Sequence, residues 1–140
     1  MARARGRLLL GVMLLARAAS AAAQADPDAE AAGRVVMQQL EAFRRDDFDT
    51  AFGFASEEIH QLFDRTRFEA MVRGGYPEIA RSASAVVTGI ERGAGGRLYL
   101  MVRVRGANGQ NIEAVYEMVF ENNLWRINGV VARPDSSEKA

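Results

Sequence analysis

Few groups in this chain are able to do chemistry. It has no cysteine and one histidine, His60. Thiolate nucleophiles, zinc or iron–sulfur centres held by cysteine and multi-histidine metal sites are therefore excluded, and no cofactor is implied. His60 and Asp64 stand at i,i+4, where a helix sets a carboxylate beside an imidazole; they form the one acid–base constellation of the chain. The competing reading is an exposed histidine or a helix-end contact. Tyr76, Tyr116 and Trp125 each join a ring to a polar handle, which suits the lining of a ligand pocket, with Phe68 and Met71 as apolar neighbours. Core packing is the competing reading for Trp125, Phe68 and Met71. Arg81, shortly after Tyr76, is placed to meet an anionic ligand or to remain a surface arginine.

The elements that position these groups follow from composition and period. With 140 residues, 49% hydrophobic and 26% charged, the chain has the make-up of one globular domain, not of a rod, a disordered tail or a disulfide-stapled miniprotein. Residues 1–25 differ in kind. Arg3, Arg5 and Arg7 precede an apolar run from Leu8 to Ala16, and Ala23-Gln24-Ala25 ends the segment, the pattern of a secretory signal peptide cleaved after Ala25. The apolar run falls well short of the roughly 20 residues a bilayer span needs. Cleavage removes Arg3, Arg5, Arg7 and Arg17 from the 18 basic residues against 18 acidic, leaving a net charge of −4 with His60 neutral. That balance lacks the electrostatic footprint of a nucleic-acid or anionic-lipid binder, and no membrane anchor is expected after cleavage. A single domain over 26–133 and a disordered tail over 134–140 are expected.

Asp26-Pro27 opens a helix, with Asp28 and Glu30 in its first turn, Ala32, Val36, Leu40 and Phe43 on one face, and Arg44-Arg45 at its end. A short helix is expected over 48–55, and another capped by Ser56 with Ile59, Leu62 and Phe63 inward. Thr66 and Glu69 read as a capping box for a fourth helix that carries Phe68, Met71 and Val72 and stops at Gly74-Gly75. Tyr76-Pro77 reads as an extended joint. From about Ser84 the period becomes two, with strands expected over 85–91, 97–105, 112–121 and 124–131. An Asn122-Asn123 turn pairs Phe120 with Trp125, Met118 with Ile127, Tyr116 with Gly129 and Ala114 with Val131. Gly129 would then leave room for the Tyr116 ring. A three-residue loop from Ala107 to a left-handed Gly109 pairs Val104 with Ile112, Leu100 with Tyr116 and Arg103 with Glu113. The result is an α+β fold, N-terminal helices packed on a curved four-stranded antiparallel sheet. Its inner face carries Leu98, Leu100, Val102, Tyr116, Met118, Phe120, Trp125 and Ile127.

The outer face is charged but interrupted by Tyr99, Met101, Val115, Val119 and Val130. A stripe of that kind on a solvated face marks an interaction surface, here a two-fold homodimer packed sheet to sheet. Scattered surface hydrophobics, or cover by the C-terminal tail, are the competing readings.

The run Ala42-Phe43-Arg44-Arg45-Asp46-Asp47-Phe48, the segment Phe68-x-x-Met71-Val72-Arg73 with Tyr76-Pro77, and the closing Trp125-Arg126-Ile127-Asn128-Gly129 resemble a bacterial family known as domain of unknown function 4864. That family is similar in pattern to the nuclear transport factor two-like (cystatin-like cone) superfamily. The resemblance covers roughly residues 34–133. It implies a sheet curved around a long helix to leave a cone-shaped pocket, and dimers that pack through the sheet; the signal peptide, for its part, implies secretion across the inner membrane to the periplasm. The superfamily spans isomerases, dehydratases, cyclases and binding modules, so fold does not fix function. An isomerase of that build needs a carboxylate in the pocket. By the register above, Glu113, Glu117 and Glu121 face outward, and only Asp64 and Glu78, on loops, remain for a pocket mouth. The leading expectation is a non-catalytic module for a small apolar ligand or protein partner. The alternatives are an isomerase or hydratase with a pocket-mouth acid, and a structural interaction module whose cone is filled.

Overall fold

In a computed structural model of the chain, residues 26–135 are described. The expected signal peptide, 1–25, and residues 136–140 of the expected tail lie outside them. Helices α1 (Pro27–Arg44), α2 (Phe48–Gly53), α3 (Glu57–Leu62), α4 (Arg65–Gly75) and α5 (Pro77–Ala80) come first. Strands β1 (Ser82–Arg92), β2 (Leu98–Gly106), β3 (Asn111–Glu121) and β4 (Leu124–Pro134) follow. The strands pair antiparallel in the order β1-β2-β3-β4, an open sheet, and the fold is α+β.

The Asp26 carboxylate accepts from the Ala29 N–H at 3.1 Å and caps α1, with Pro27 at the first helical position. Ala32, Val36, Leu40 and Phe43 recur along one face and are each at most 1% exposed. They join a core with Leu98, Leu100, Val102 and Met118 of the sheet. After α1 the chain turns at Asp46, whose φ of 57° is left-handed, and Asp47 caps α2 through the Thr50 N–H.

Two helix boundaries differ from expectation. Asp64, not Thr66, caps α4, accepting from the Arg67 N–H at 2.8 Å. Aspartate caps as well as threonine, and a start at Arg65 sets Arg65, Glu69 and Arg73 at successive i,i+4 positions, where Glu69 pairs with both arginines. The expected capping box does not form, because Glu69 is used along the helix. Gly74 and Gly75 stay helical, and Pro77 then starts the single turn α5 that buries Ile79 and Ala80.

The β2–β3 pairing has the expected register: Val104 faces Ile112, Leu100 faces Tyr116 and Arg103 faces Glu113, with Gly109 left-handed at φ 82°. Asn122 and Asn123, at φ 50° and 63°, make the two-residue turn into β4. Phe120 then faces Trp125 and Met118 faces Ile127. Beyond that point the expected register fails. Glu117 faces Gly129, Tyr116 faces Val130 and Ala114 faces Ala132, because Asn128 is an extra residue in a β-bulge.

The bulge is held by side chains. The Ser56 hydroxyl donates to Asn128 Oδ1 at 2.6 Å, and Asn128 Nδ2 donates to Glu117 Oε2 at 2.6 Å. Ser56 is fully buried, caps α3 through the Ile59 N–H, and sits in a segment bonded along β4: Ile127 N–H to Phe54 O at 2.9 Å, and Ser56 N–H to Ile127 O at 2.8 Å.

Parity therefore reverses after Asn128. Val130, expected on the outer face, packs against the core, and Val131 takes its outer place at 71% exposure. Gly129 does not make room for the Tyr116 ring either, since a Cβ there would meet nothing within 4 Å. Phe120, expected under the helices, is 57% exposed, resting against Trp125 with ring centres 5.2 Å apart next to the hairpin turn. Pro134 completes β4, and the Asp135 N–H reaches Asn111 O at 3.1 Å, so two residues of the expected tail are structured. Further bulges at Ala83 and Thr88 interrupt β1.

Replacing Asn128 with alanine strips the buried Ser56 hydroxyl and Glu117 of a partner each. The expected loss is about 2 kcal/mol in urea unfolding. A smaller loss in a Ser56→Ala background would show that the two residues act as a pair.

Candidate functional site

Helical spacing on two elements and the inward parity of two strands converge on one cavity of about 270 Å³. Gln39 and Phe43 line it from α1, and Phe68, Met71 and Val72 from α4. Both sets follow i, i+3, i+4 spacing, which keeps side chains on one helix face. Tyr116 of β3 and Ile127, Gly129 and Val130 of β4 form the sheet wall, with Val130 present only because of the bulge. Ala55, Ile59 and Phe63 close one side, and Tyr76 and Ile79 another.

The polar atoms are few. Gln39, 4% exposed, donates from Nε2 to Ala51 O at 3.0 Å. The Tyr76 hydroxyl donates to Val130 O at 3.2 Å. The Tyr116 hydroxyl, on a residue 1% exposed, has no hydrogen-bond partner among the described residues. Burial pushes this phenol above its ordinary range, so it stays protonated. Among the described residues no Asp, Glu, His, Lys or Arg lines the cavity.

Four of the six pocket candidates thus meet in one place: Phe68, Met71, Tyr76 and Tyr116. Arg81 lies outside, its Nη2 2.7 Å from Asp46 Oδ1. Arg81 and Arg73 together hold the Asp46 carboxyl below the usual aspartate range. Trp125 is buried beside Phe120, away from the cavity lining. Gln39 lines the cavity as well: its type gives no signal of this, although its position shares the face of Val36, Leu40 and Phe43. Val130 lies inward and not on the outer face, because the bulge at Asn128 breaks the alternation of β4.

His60 and Asp64 are engaged separately. His60 Nδ1 lies 2.8 Å from Ser56 O and its ring packs on Phe52 with centres 4.0 Å apart, while Asp64 caps α4. Glu78 accepts from Asn108 Nδ2 at 3.0 Å. None of the three lines the cavity. Among the described residues, no three His, Asp or Glu side chains are grouped so as to hold a metal ion. No helix among them is long and apolar enough to cross a membrane.

On the outer sheet face Met101 faces Val115, and Val115 faces Val131. One flank is charged: Glu113 accepts from Arg133 at 2.8 Å, and Arg103 meets Asp135 at 2.9 Å. On the other flank the Tyr99 hydroxyl donates to Glu117 at 3.1 Å. Val119 faces Arg126, so it adds little to an apolar row one residue wide.

Residues 25–140 match a family model described as a domain of unknown function, DUF4864. No curated protein matches the chain.

Asp64 thus has a structural duty at the start of α4. Asp64→Ala is expected to lower stability by about 1 kcal/mol, the worth of an N-cap, in denaturant unfolding. A loss near zero would mean that the cap contributes nothing to α4.

Proposed function

We propose that this chain, which belongs to the DUF4864 family, binds a small apolar ligand in the cavity between α1, α4 and the sheet. The observation that carries the reading is the composition of the walls: apolar side chains throughout, with two tyrosines and one glutamine as the polar groups. Cavities of this kind bind by burying ligand surface, with a few polar groups to orient the guest. An isomerase or hydratase needs a titrating group at the reacting atom, and the acids weighed for that part, Asp64 and Glu78, are occupied at a helix cap and a loop. A filled cone is the weaker alternative beside a cavity of about 270 Å³. Membership of the nuclear transport factor two-like superfamily fits the order of elements, helices first and an open four-stranded antiparallel sheet after them. Work in the periplasm fits the basic, apolar and Ala-x-Ala pattern of residues 1–25.

The same reading includes a homodimer packed through the outer sheet face. Its support is the row Met101, Val115 and Val131, the last 71% exposed. A two-fold packing would bring this row against its own copy.

Butylbenzene at a hundredfold excess over its Kd stabilises a binding-competent domain by about 2.7 kcal/mol. For a domain of this size that is a rise in Tm of roughly 10 °C. Ala55→Leu, which fills the cavity from its wall, should abolish the rise while leaving the unliganded protein folded. An unchanged Tm in the wild-type protein would sink the cavity reading. For the sheet face, Val115→Glu should convert a dimer into a monomer in sedimentation at micromolar concentration. A variant that remains dimeric removes this face from the interface.

A further inference from the structure

Resting on the cavity reading, we infer that the guest is a single-tailed amphiphile, which lays its apolar tail on the cavity floor and leaves its polar head in water at a mouth beside β4. The lining residues divide by exposure. Phe43, Phe68, Val72 and Tyr116 are buried and belong to α1, α4 and the inner strand β3. Ile59, Phe63, Met71, Tyr76, Gly129 and Val130 are half-buried, and they gather at the β4 margin of the sheet. The Tyr76 hydroxyl donates to Val130 O on that outer strand, and Gly129 directly precedes Val130. Ser56 bonds both Asn128 and the Ile59 N–H, which brings α3 to the other end of the same stretch. Phe63 follows Ile59 by one turn, and Met71 stands on α4 just ahead of Tyr76.

The chemistry of the walls sets which end of the guest goes where. Among the described residues no charged side chain lines the cavity, so a charged head on the floor would lose its water with no opposite charge to replace it. At the mouth the same head stays solvated. The rim is itself apolar: Ile59, Phe63 and Met71 keep part of their surface in water, and a tail passing between them would cover it. A hydrocarbon held wholly on the floor would leave that surface bare. Volume bounds the tail. A dry cavity of about 150 Å³ accommodates benzene, so about 270 Å³ suits a tail of roughly ten carbons, one chain and not two.

Isothermal titration of the wild-type chain with decanol, decanoate, decyltrimethylammonium and decanedioate tests the inference. The first three differ only in the head, which none of them has to bury, so their affinities should agree within about tenfold. Decanedioate carries a carboxylate at each end and must bring one to the floor, so it should bind at least about a hundredfold more weakly than decanoate. From hexanoate to decanoate each methylene should tighten binding about fourfold. Met71→Lys, which sets a cation at the rim, should shift the ratio of decanoate to decyltrimethylammonium affinity about fivefold toward decanoate, and Met71→Glu should shift it the other way. Decanoate and decyltrimethylammonium both binding more than about tenfold more weakly than decanol, tight binding of decanedioate, or a ratio unmoved by either Met71 substitution would each overturn the inference while leaving the apolar cavity in place. The comparison of heads in the wild-type chain does not depend on a variant folding. Failure of both butylbenzene and decanol to bind would overturn the cavity reading, and this inference with it.

Discussion

The β-bulge at Asn128 is the constraint on which the remaining architecture depends. One extra residue on β4 is accommodated because its amide joins two groups that would otherwise be left short of partners, the buried Ser56 hydroxyl and the Glu117 carboxylate. From this junction three consequences spread. Val130 and Ala132 turn inward toward the helices. The Phe54–Ser56 segment is laid against Ile127. Ser56 is held where it caps α3, and that short helix brings Ile59 to the cavity. The closing run Trp125-Arg126-Ile127-Asn128-Gly129 thus reads as architecture: a buried ring, an arginine bonded to Gly53 O, a core isoleucine, a bulge residue and the glycine beside it.

The helical half was legible because its signals are local. Capping by Asp26, the face of Ala32, Val36, Leu40 and Phe43, and the left-handed asparagines of the last hairpin depend on residues a few positions apart. Strand registers near their turns were legible for the same reason. The bulge was not, since its cause is a serine 72 positions away in sequence. An asparagine–glycine pair inside an alternating strand is the one local hint of it. Type alone does not choose the cap of α4, since Asp64 and Thr66 are equivalent in that role, and only the downstream pairing of Glu69 with Arg65 and Arg73 separates them.

The cavity was legible in outline. Periodicity alone brings Phe68 and Met71 to the same side as Tyr116. What periodicity does not carry is competition for partners. Arg81 was open to an anionic guest until Asp46, left-handed at the end of α1, claimed it. The type of Gln39 suggests solvent, although its position on α1 does not.

The segment running from Phe54 to Ser56 has one more consequence, for how this chain avoids its own kind. β4 is an outer strand of an open sheet, and its unpaired backbone groups would be a template for another molecule's strand. Two of the places on it are occupied by Phe54 O and the Ser56 N–H, which bond to Ile127. At the opposite margin, the kinks at Ala83 and Thr88 break the even ladder a foreign strand would need. Both margins of the sheet are thus guarded against fibril-like growth, one by cover and the other by irregularity.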